Sequence, residues 1–327
     1  MFRCFERGIG VKHVHGQWLQ KNKTPNINTM NAISLHNVRK TFGSYVAVDD
    51  LSLVVPTGSL CGFIGPNGSG KTTSLRMIMR IYAPDSGTVE VLGDVSHGPA
   101  NDRVGYLPEE RMLYKQMRVD ETLRYLSQLK SHTPSRGEID KWLEKLQLPG
   151  VAKRKVQTLS KGQTQKIQLI AVLISRPQLV LLDEPFSGLD PVNAVVLRDA
   201  ILQLKRDGTT VLFSTHDMSV AEQMCDRIVM IHKGRKVLDG TLDAIRADYA
   251  VDTLRVRLAG GAALPIMPGV TAVDLGRYQE LRISDGVDTQ SVLRQLSAAG
   301  RVELFEIARP NLGDIFVRIA SPEGTAS

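Results

Sequence analysis

The chain has 327 residues but only three cysteines, Cys4, Cys61 and Cys225. Their spacing fits neither a disulfide framework nor a thiolate metal site, and suits a reducing cytosol. Long apolar runs are also missing. The longest, Ile167 to Leu182, is broken by Arg176 and Pro177 and falls short of a bilayer span. The N-terminus lacks the apolar core of a secretory signal. No lysine follows Lys236, so the composition changes there and all later cationic side chains are arginine. No internal repeat or low-complexity block interrupts the chain.

Hydrophobic residues make up 42%, enough for a sizeable core. The formal net charge is +7, and more than half of it sits in residues 1–30, where five basic side chains face only Glu6. The basicity is therefore a property of a tail, and no direct nucleic-acid binding is expected. Residues 1–30 are expected to be a basic, disordered extension. Met30, just before the first strand-like segment, is a candidate start.

From Ile33 the pattern becomes regular. Ile33 to Val38 alternates like a half-buried strand, and Val46 to Val55 and Thr88 to Val91 are β-like. These predict a small antiparallel layer. Asp120 to Ile174 reads as mostly helical. Leu179 to Leu182 and Thr210 to Phe213 are short and fully apolar, which suits parallel strands buried on both faces. A helix pattern from Pro191 to Lys205 lies between them, giving a doubly wound α/β arrangement. Beyond about residue 245, alternation in Leu254–Leu258, Glu280–Ile283 and Val302–Ile307, with a helix pattern over Asp288–Ala299, predicts a separate small α+β domain.

Gly65-Pro66-Asn67-Gly68-Ser69-Gly70-Lys71-Thr72 fits G-x-x-x-x-G-K-[ST], the P-loop. It lies between the apolar run Leu60–Ile64 and a helix-like segment from Thr73, the context the motif requires. Glycines let the backbone approach phosphates closely, and the N–H groups at the helix start face the anion. Lys71 can reach the β/γ-phosphates and Thr72 can ligate Mg²⁺. A second motif, Asp183-Glu184, ends the apolar run Leu179–Leu182. Asp183 can hold Mg²⁺ through water, and Glu184 can orient or deprotonate an attacking water. By itself this would be a strand ending in a polar turn; after a P-loop it reads as chemistry.

The chain resembles the nucleotide-binding subunits of ABC transporters, and residues 31–244 carry that family's motif set in order. Phe42 matches the aromatic that stacks on adenine. Leu159-Ser160-Lys161-Gly162-Gln163 resembles the signature sequence, which implies that Ser160, Gly162 and Gln163 contact a nucleotide. Ser187-Gly188-Leu189-Asp190 matches the loop that speaks across the dimer, and His216 the switch histidine at the γ-phosphate. The resemblance implies a P-loop NTPase core with an antiparallel β layer and a helical subdomain, followed by the small C-terminal α+β domain. It implies nucleotide contacts from Phe42, from Gly65 to Thr73 and from Asp190. Mg²⁺ would be held by Thr72, Asp183 and Glu109, and catalysis would fall to Glu184, His216 and Lys71. Two subunits, copies or homologues, would sandwich two ATP head to tail and power a separate membrane permease from its cytoplasmic face.

Two positions depart from the family. Lys161 stands where Gly is usual; its cation could help bind a phosphate or point to solvent, and solvent is expected because the family uses the backbone there. Glu109, in Tyr106-Leu107-Pro108-Glu109, stands where Gln is usual, adding a charge and losing a donor. It is expected to tighten Mg²⁺ binding. The tail, Ala308 to Phe316, resembles the closing helix of ATPases that serve ABC-2 type exporters, more loosely than the core. The alternative is a soluble ABC-type ATPase acting on ribosomes or nucleic acid. Those on ribosomes usually carry two cassettes, whereas one P-loop is found here, and a DNA-repair ATPase would need a long coiled-coil insertion. A P-loop kinase or GTPase would lack the signature, the paired carboxylates and His216.

Overall fold

The computed structural model describes residues 31–95, 102–110, 113–249, 253–261, 263–274, 276–284, 286–307 and 310–320. The expected N-terminal extension, residues 1–30, lies outside them, as do Ala308 and Arg309 of the closing segment. β1 (Asn31–Phe42) and β2 (Tyr45–Pro56) form a long antiparallel hairpin in which Phe42 faces Tyr45. β3 (Leu60–Ile64) leads through the P-loop into α1 (Lys71–Ile78). β4 (Ser86–Val91) then pairs with β1, completing a three-stranded antiparallel sheet in the order β2-β1-β4.

β5 (Val104–Leu107) opens the next part, followed by the helices α2 (Val119–Gln128), α3 (Arg136–Lys145) and α4 (Lys161–Leu173). β6 (Leu179–Asp183), α5 (Pro191–Arg206), β7 (Thr210–Thr215), α6 (Met218–Met224), β8 (Arg227–His232) and β9 (Arg235–Gly240) complete the larger sheet. Its order is β5-β6-β7-β3-β8-β9, parallel except for the β8–β9 hairpin. Every residue of β3, β6 and β7 is buried, as expected for strands with both faces covered. Phe63 and Phe213 are among the largest fully enclosed side chains. Each such side chain contributes roughly 1.5–3 kcal/mol by leaving water.

α7 (Leu242–Asp248) leads to the last sheet. β10 (Thr253–Leu258), β11 (Val270–Asp274), β12 (Gln279–Ile283) and β13 (Val302–Ile307) pair antiparallel in the order β11-β12-β10-β13, with α8 (Thr289–Ala299) between β12 and β13 in sequence. Leu254, Val256, Leu281, Val292 and Leu296 form this unit's own core. The final helix, α9 (Leu312–Ala320), leaves that sheet and packs on α6 and α7. No helix among the described residues is long and apolar enough to cross a membrane.

One exposed clamp fixes the end of β1. Asp85 accepts hydrogen bonds from Lys40 Nζ (2.7 Å), Thr41 N (2.6 Å) and Thr41 Oγ1 (2.7 Å). Lys40 foremost, then Thr41, holds the Asp85 carboxyl down from 3.8 to about 2. The clamp therefore stabilises the fold above pH 3.8 and is lost as pH falls through 2. Asp85→Asn should lower Tm near neutrality, and the gap to the parent protein should narrow as pH drops from about 5 toward 2. A gap that does not change with pH would refute the clamp.

Candidate functional site

In a parallel sheet the strand ends that lead into helices share one edge. The register places Ile64 beside Thr215 and Asp183 beside Ser214, so the P-loop, Asp183-Glu184 and His216 emerge together. Glycine makes the first turn possible. Gly70 caps α1 with φ 106°, and a Cβ there would lie 2.5 Å from the Ala47 carbonyl oxygen. A Cβ on Gly65 would run into the Ile231 carbonyl. α1 has no acidic residue in its first turn, so no carboxylate of its own offsets its positive end.

Lys71 and Glu184 are 6% and 8% exposed. Lys71 Nζ donates to the carbonyls of Gly65 (2.8 Å) and Pro66 (3.1 Å) and lies 3.5 Å from Glu184 Oε1. Asn67, Gly68, Gly70, Lys71, Thr72 and Thr73 line a cleft of about 380 Å³, faced by Tyr45, Ala47, Glu109 and Glu184. Tyr45 donates its phenol to the Gly68 carbonyl at 3.1 Å. Ser69 Oγ is buried without a hydrogen-bond partner among the described residues.

Ser214 organises the carboxylates. Its hydroxyl donates to Asp183 Oδ1 and accepts from Glu184 N at 3.1 Å. Asp183 Oδ2 is left buried without a hydrogen bond among the described residues. Glu184 adopts a left-handed backbone, φ 48°, unusual for a residue with a Cβ. That turn swings its carboxylate back over the P-loop, where Oε2 meets His216 Nδ1 at 3.0 Å. Tyr106 belongs here too. Burial, then the Asp183 charge, pushes its phenol up to about 12. Sequence reading missed Ser214, Tyr45 and Tyr106. Only the register and the β5 strand place them, although the small hydroxyl two residues before His216 offered a hint.

Other expected residues lie further off. Phe42 is 44% exposed and meets Tyr82 edge-on at 5.3 Å; Tyr45, not Phe42, lines the cleft. Ser160 and Gln163 cap α4 reciprocally, Ser160 Oγ accepting from Gln163 N (3.2 Å) and Gln163 Oε1 from Ser160 N (3.1 Å). None of residues 160–163 lines the P-loop cleft. Lys161, exposed as a residue, was expected to point to solvent, but its ammonium lies over Gly188, where a Cβ would collide with it. It lines an adjoining pocket of about 190 Å³ with Glu109, Asp183 and Glu184. A Cβ on Gly162 would press on Asn193, whose backbone N–H donates to Asp190 at 2.9 Å. That bond, before any other, lowers the Asp190 pKa.

Comparison with known proteins agrees with this geometry. Residues 48–187 match the ABC transporter family model, and residues 240–320 match the C-terminal domain of DrrA1-3-like ATP-binding proteins. An uncharacterized ABC transporter ATP-binding protein of Bacillus subtilis is 36% identical, across 87% of this chain and 97% of its own length. A daunorubicin resistance ATP-binding protein of Streptomyces coeruleorubidus is 32% identical, across 89% and 96%. A Nod factor export ATP-binding protein of Sinorhizobium fredii is 33% identical, across 94% and 92%. Among solved structures, an ATP-binding subunit of an ABC transporter aligns with TM-score 0.61 and 29% identity, covering 67% of this chain and 93% of its own. A dimeric cassette in a post-hydrolysis state, bound to ADP and Pi, aligns with TM-score 0.59 and 25% identity, covering 64% and 98%. With the P-loop, the paired carboxylates and the histidine on one sheet edge, the chain belongs to the ABC transporter family, as an ATP-binding, ATP-hydrolysing subunit.

Proposed function

We propose that this ATPase powers a separate ABC-2 type membrane permease from the cytoplasmic face of the membrane, in the direction of export. The observation that carries this reading is the pairing of a full cassette with a DrrA-like tail in one chain without a described membrane-spanning helix. Relatives named for daunorubicin resistance and Nod factor export favour export. The proposed division is an extension at 1–30, the ATP-binding domain at 31–244 and an accessory domain at 245–327.

Two subunits are proposed to sandwich two ATP head to tail, each P-loop facing the Ser160–Gln163 turn of the other copy. The position of that turn outside its own P-loop cleft supports this reading. On binding, Lys71 would exchange the Gly65 and Pro66 carbonyls for the β/γ-phosphates. Phe42, exposed and paired across the hairpin with Tyr45 of the cleft, would stack on adenine. Glu184 is the proposed base: it takes a proton as water oxygen bonds to the γ-phosphorus and the bond to the ADP oxygen breaks. His216, hydrogen-bonded to Glu184, would orient that carboxylate and contact the γ-phosphate. The unpartnered Asp183 Oδ2 suits a hard cation, so Asp183, Thr72 and Glu109 would hold Mg²⁺. Bound there, Mg²⁺ would neutralise phosphate charge.

Glu184→Gln keeps the shape of the site but cannot take the proton. It should bind ATP, lose turnover and accumulate an ATP-bound dimer in sedimentation; hydrolysis at the parental rate would remove Glu184 from the base role. Lys71→Ala deletes the phosphate cation and should weaken ATP binding about 10- to 100-fold by calorimetry. Unaltered affinity would count against the assignment. Glu109→Gln should retain ATP binding and shift the Mg²⁺ dependence of hydrolysis, and superimposable Mg²⁺ titrations would refute a metal role for Glu109.

A further inference from the structure

We infer that Glu222 is a positioning residue for hydrolysis, through which the C-terminal helix α9 braces α6 and so holds His216 against Glu184. The inference rests on the proposed role of His216. α6 begins directly after His216 and Asp217, and Asp217 caps it by accepting from Ser219 N (3.0 Å) and Val220 N (3.3 Å). Seven residues are too few for a helix to persist without tertiary support. On its inner side that support is β3. A Cβ on Gly62 would lie 3.5 Å from Ala221 Cβ and 2.7 Å from Cys225 Sγ, so the helix lies close on the strand that feeds the P-loop.

The outer support comes from the far end of the chain. Leu312 and Ile315 of α9 are fully buried and share one core with Ala221 of α6, Ile245 of α7 and Ile64 of β3. Phe316 meets the His232 ring edge-on at 5.5 Å. Glu222 is the polar junction. Its Oε1 accepts the backbone N–H of Leu312, one of the donors that a helix start leaves free, and lies 3.4 Å from the Arg246 guanidinium of α7. One carboxylate thus draws α6, α7 and α9 together. Near the far end of α9, Arg318 donates to the Tyr249 carbonyl at 3.4 Å.

The consequence is mechanical. His216, whose Nδ1 lies 3.0 Å from Glu184 Oε2, sits in the two-residue link between β7 and α6, so a shift of the first turn of α6 would carry Asp217 and, with it, His216. Between α7 and α9 lies the small β10–β13 sheet. A partner or ligand that displaces this unit would pull α9 from Glu222, release α6 and disengage His216. Loss of the brace would therefore slow turnover before it weakened nucleotide binding, since the polar partners of Lys71 Nζ are Gly65, Pro66 and Glu184 and none of them belongs to α6.

The test is steady-state ATP hydrolysis by the full chain carrying Glu222→Ala, Glu222→Gln, His216→Ala, or His216→Ala with Glu222→Ala. Glu222→Ala should lower kcat about tenfold and leave KM for ATP within about twofold. Glu222→Gln, which keeps an acceptor for Leu312 N–H, should stay within about twofold of the parent. In the His216→Ala background, Glu222→Ala should cost nothing further. Hydrogen exchange should rise over residues 218–224 and stay unchanged over β3 and β6. A parental kcat for Glu222→Ala beside a slow His216→Ala would overturn the brace alone, as would losses that multiply in the double variant. A parental rate for His216→Ala would sink the reading of that histidine, and this inference with it. Loss of protection across β3 and β6 would mark a general fold defect and also overturn the brace.

Discussion

The parallel pairing of β6, β7 and β3 is the constraint on which the site depends. It sets Asp183 beside Ser214 and Ile64 beside Thr215. Three separate stretches of chain then deliver a lysine, two carboxylates and a histidine to one edge. The strands that do this are buried on both faces, so a one-residue slip would disturb two packed layers at once. The buried Lys71–Glu184 pair is possible only on that frame. Two charges taken from water need additional partners, and the Gly65 and Pro66 carbonyls satisfy the ammonium while His216 satisfies one carboxylate oxygen.

Much of the fold was legible because its signals are local. The apolar runs at Leu179–Leu182 and Thr210–Phe213 can be little other than covered strands, and they became β6 and β7. The P-loop glycines state their need for close approach directly, and Gly65 and Gly70 meet carbonyls that no Cβ could share. What stayed hidden depends on partners distant in sequence. α6 is too short to show a helical period. Ser214 joins Asp183 and Glu184 only through strand register. The left-handed turn at Glu184 leaves no trace in residue type, since glutamate does not favour it. For Lys161 the resemblance implies only a backbone role and so a side chain facing solvent; its reach to Gly188 depends on a loop 27 positions away.

Two sets of contacts bear on Glu184. At the signature turn, Gln165 donates to the Pro185 carbonyl, Lys161 covers Gly188 and Gly162 abuts Asn193. The start of α4 and the loop that follows Glu184 are thus held as one body. In the second set, α9 joins the last apolar turns of the described chain to the core that also contains Ile64. Hydrophobic burial there is non-directional, whereas the single Glu222 carboxylate gives the arrangement an address. Both connections converge on Glu184, one through its loop and one through His216.

On the reading proposed above, this ATPase works as one component of a membrane assembly. The most direct measurement is affinity purification of the tagged full chain from gently solubilised native membranes, with its companions identified by mass spectrometry. Stoichiometric recovery of a polytopic membrane protein is the predicted result, and would supply the chain that defines the transported substrate. Recovery only from the soluble fraction, with ribosomes or nucleic acid, would overturn the proposed role and leave an ATPase whose work lies elsewhere in the cell.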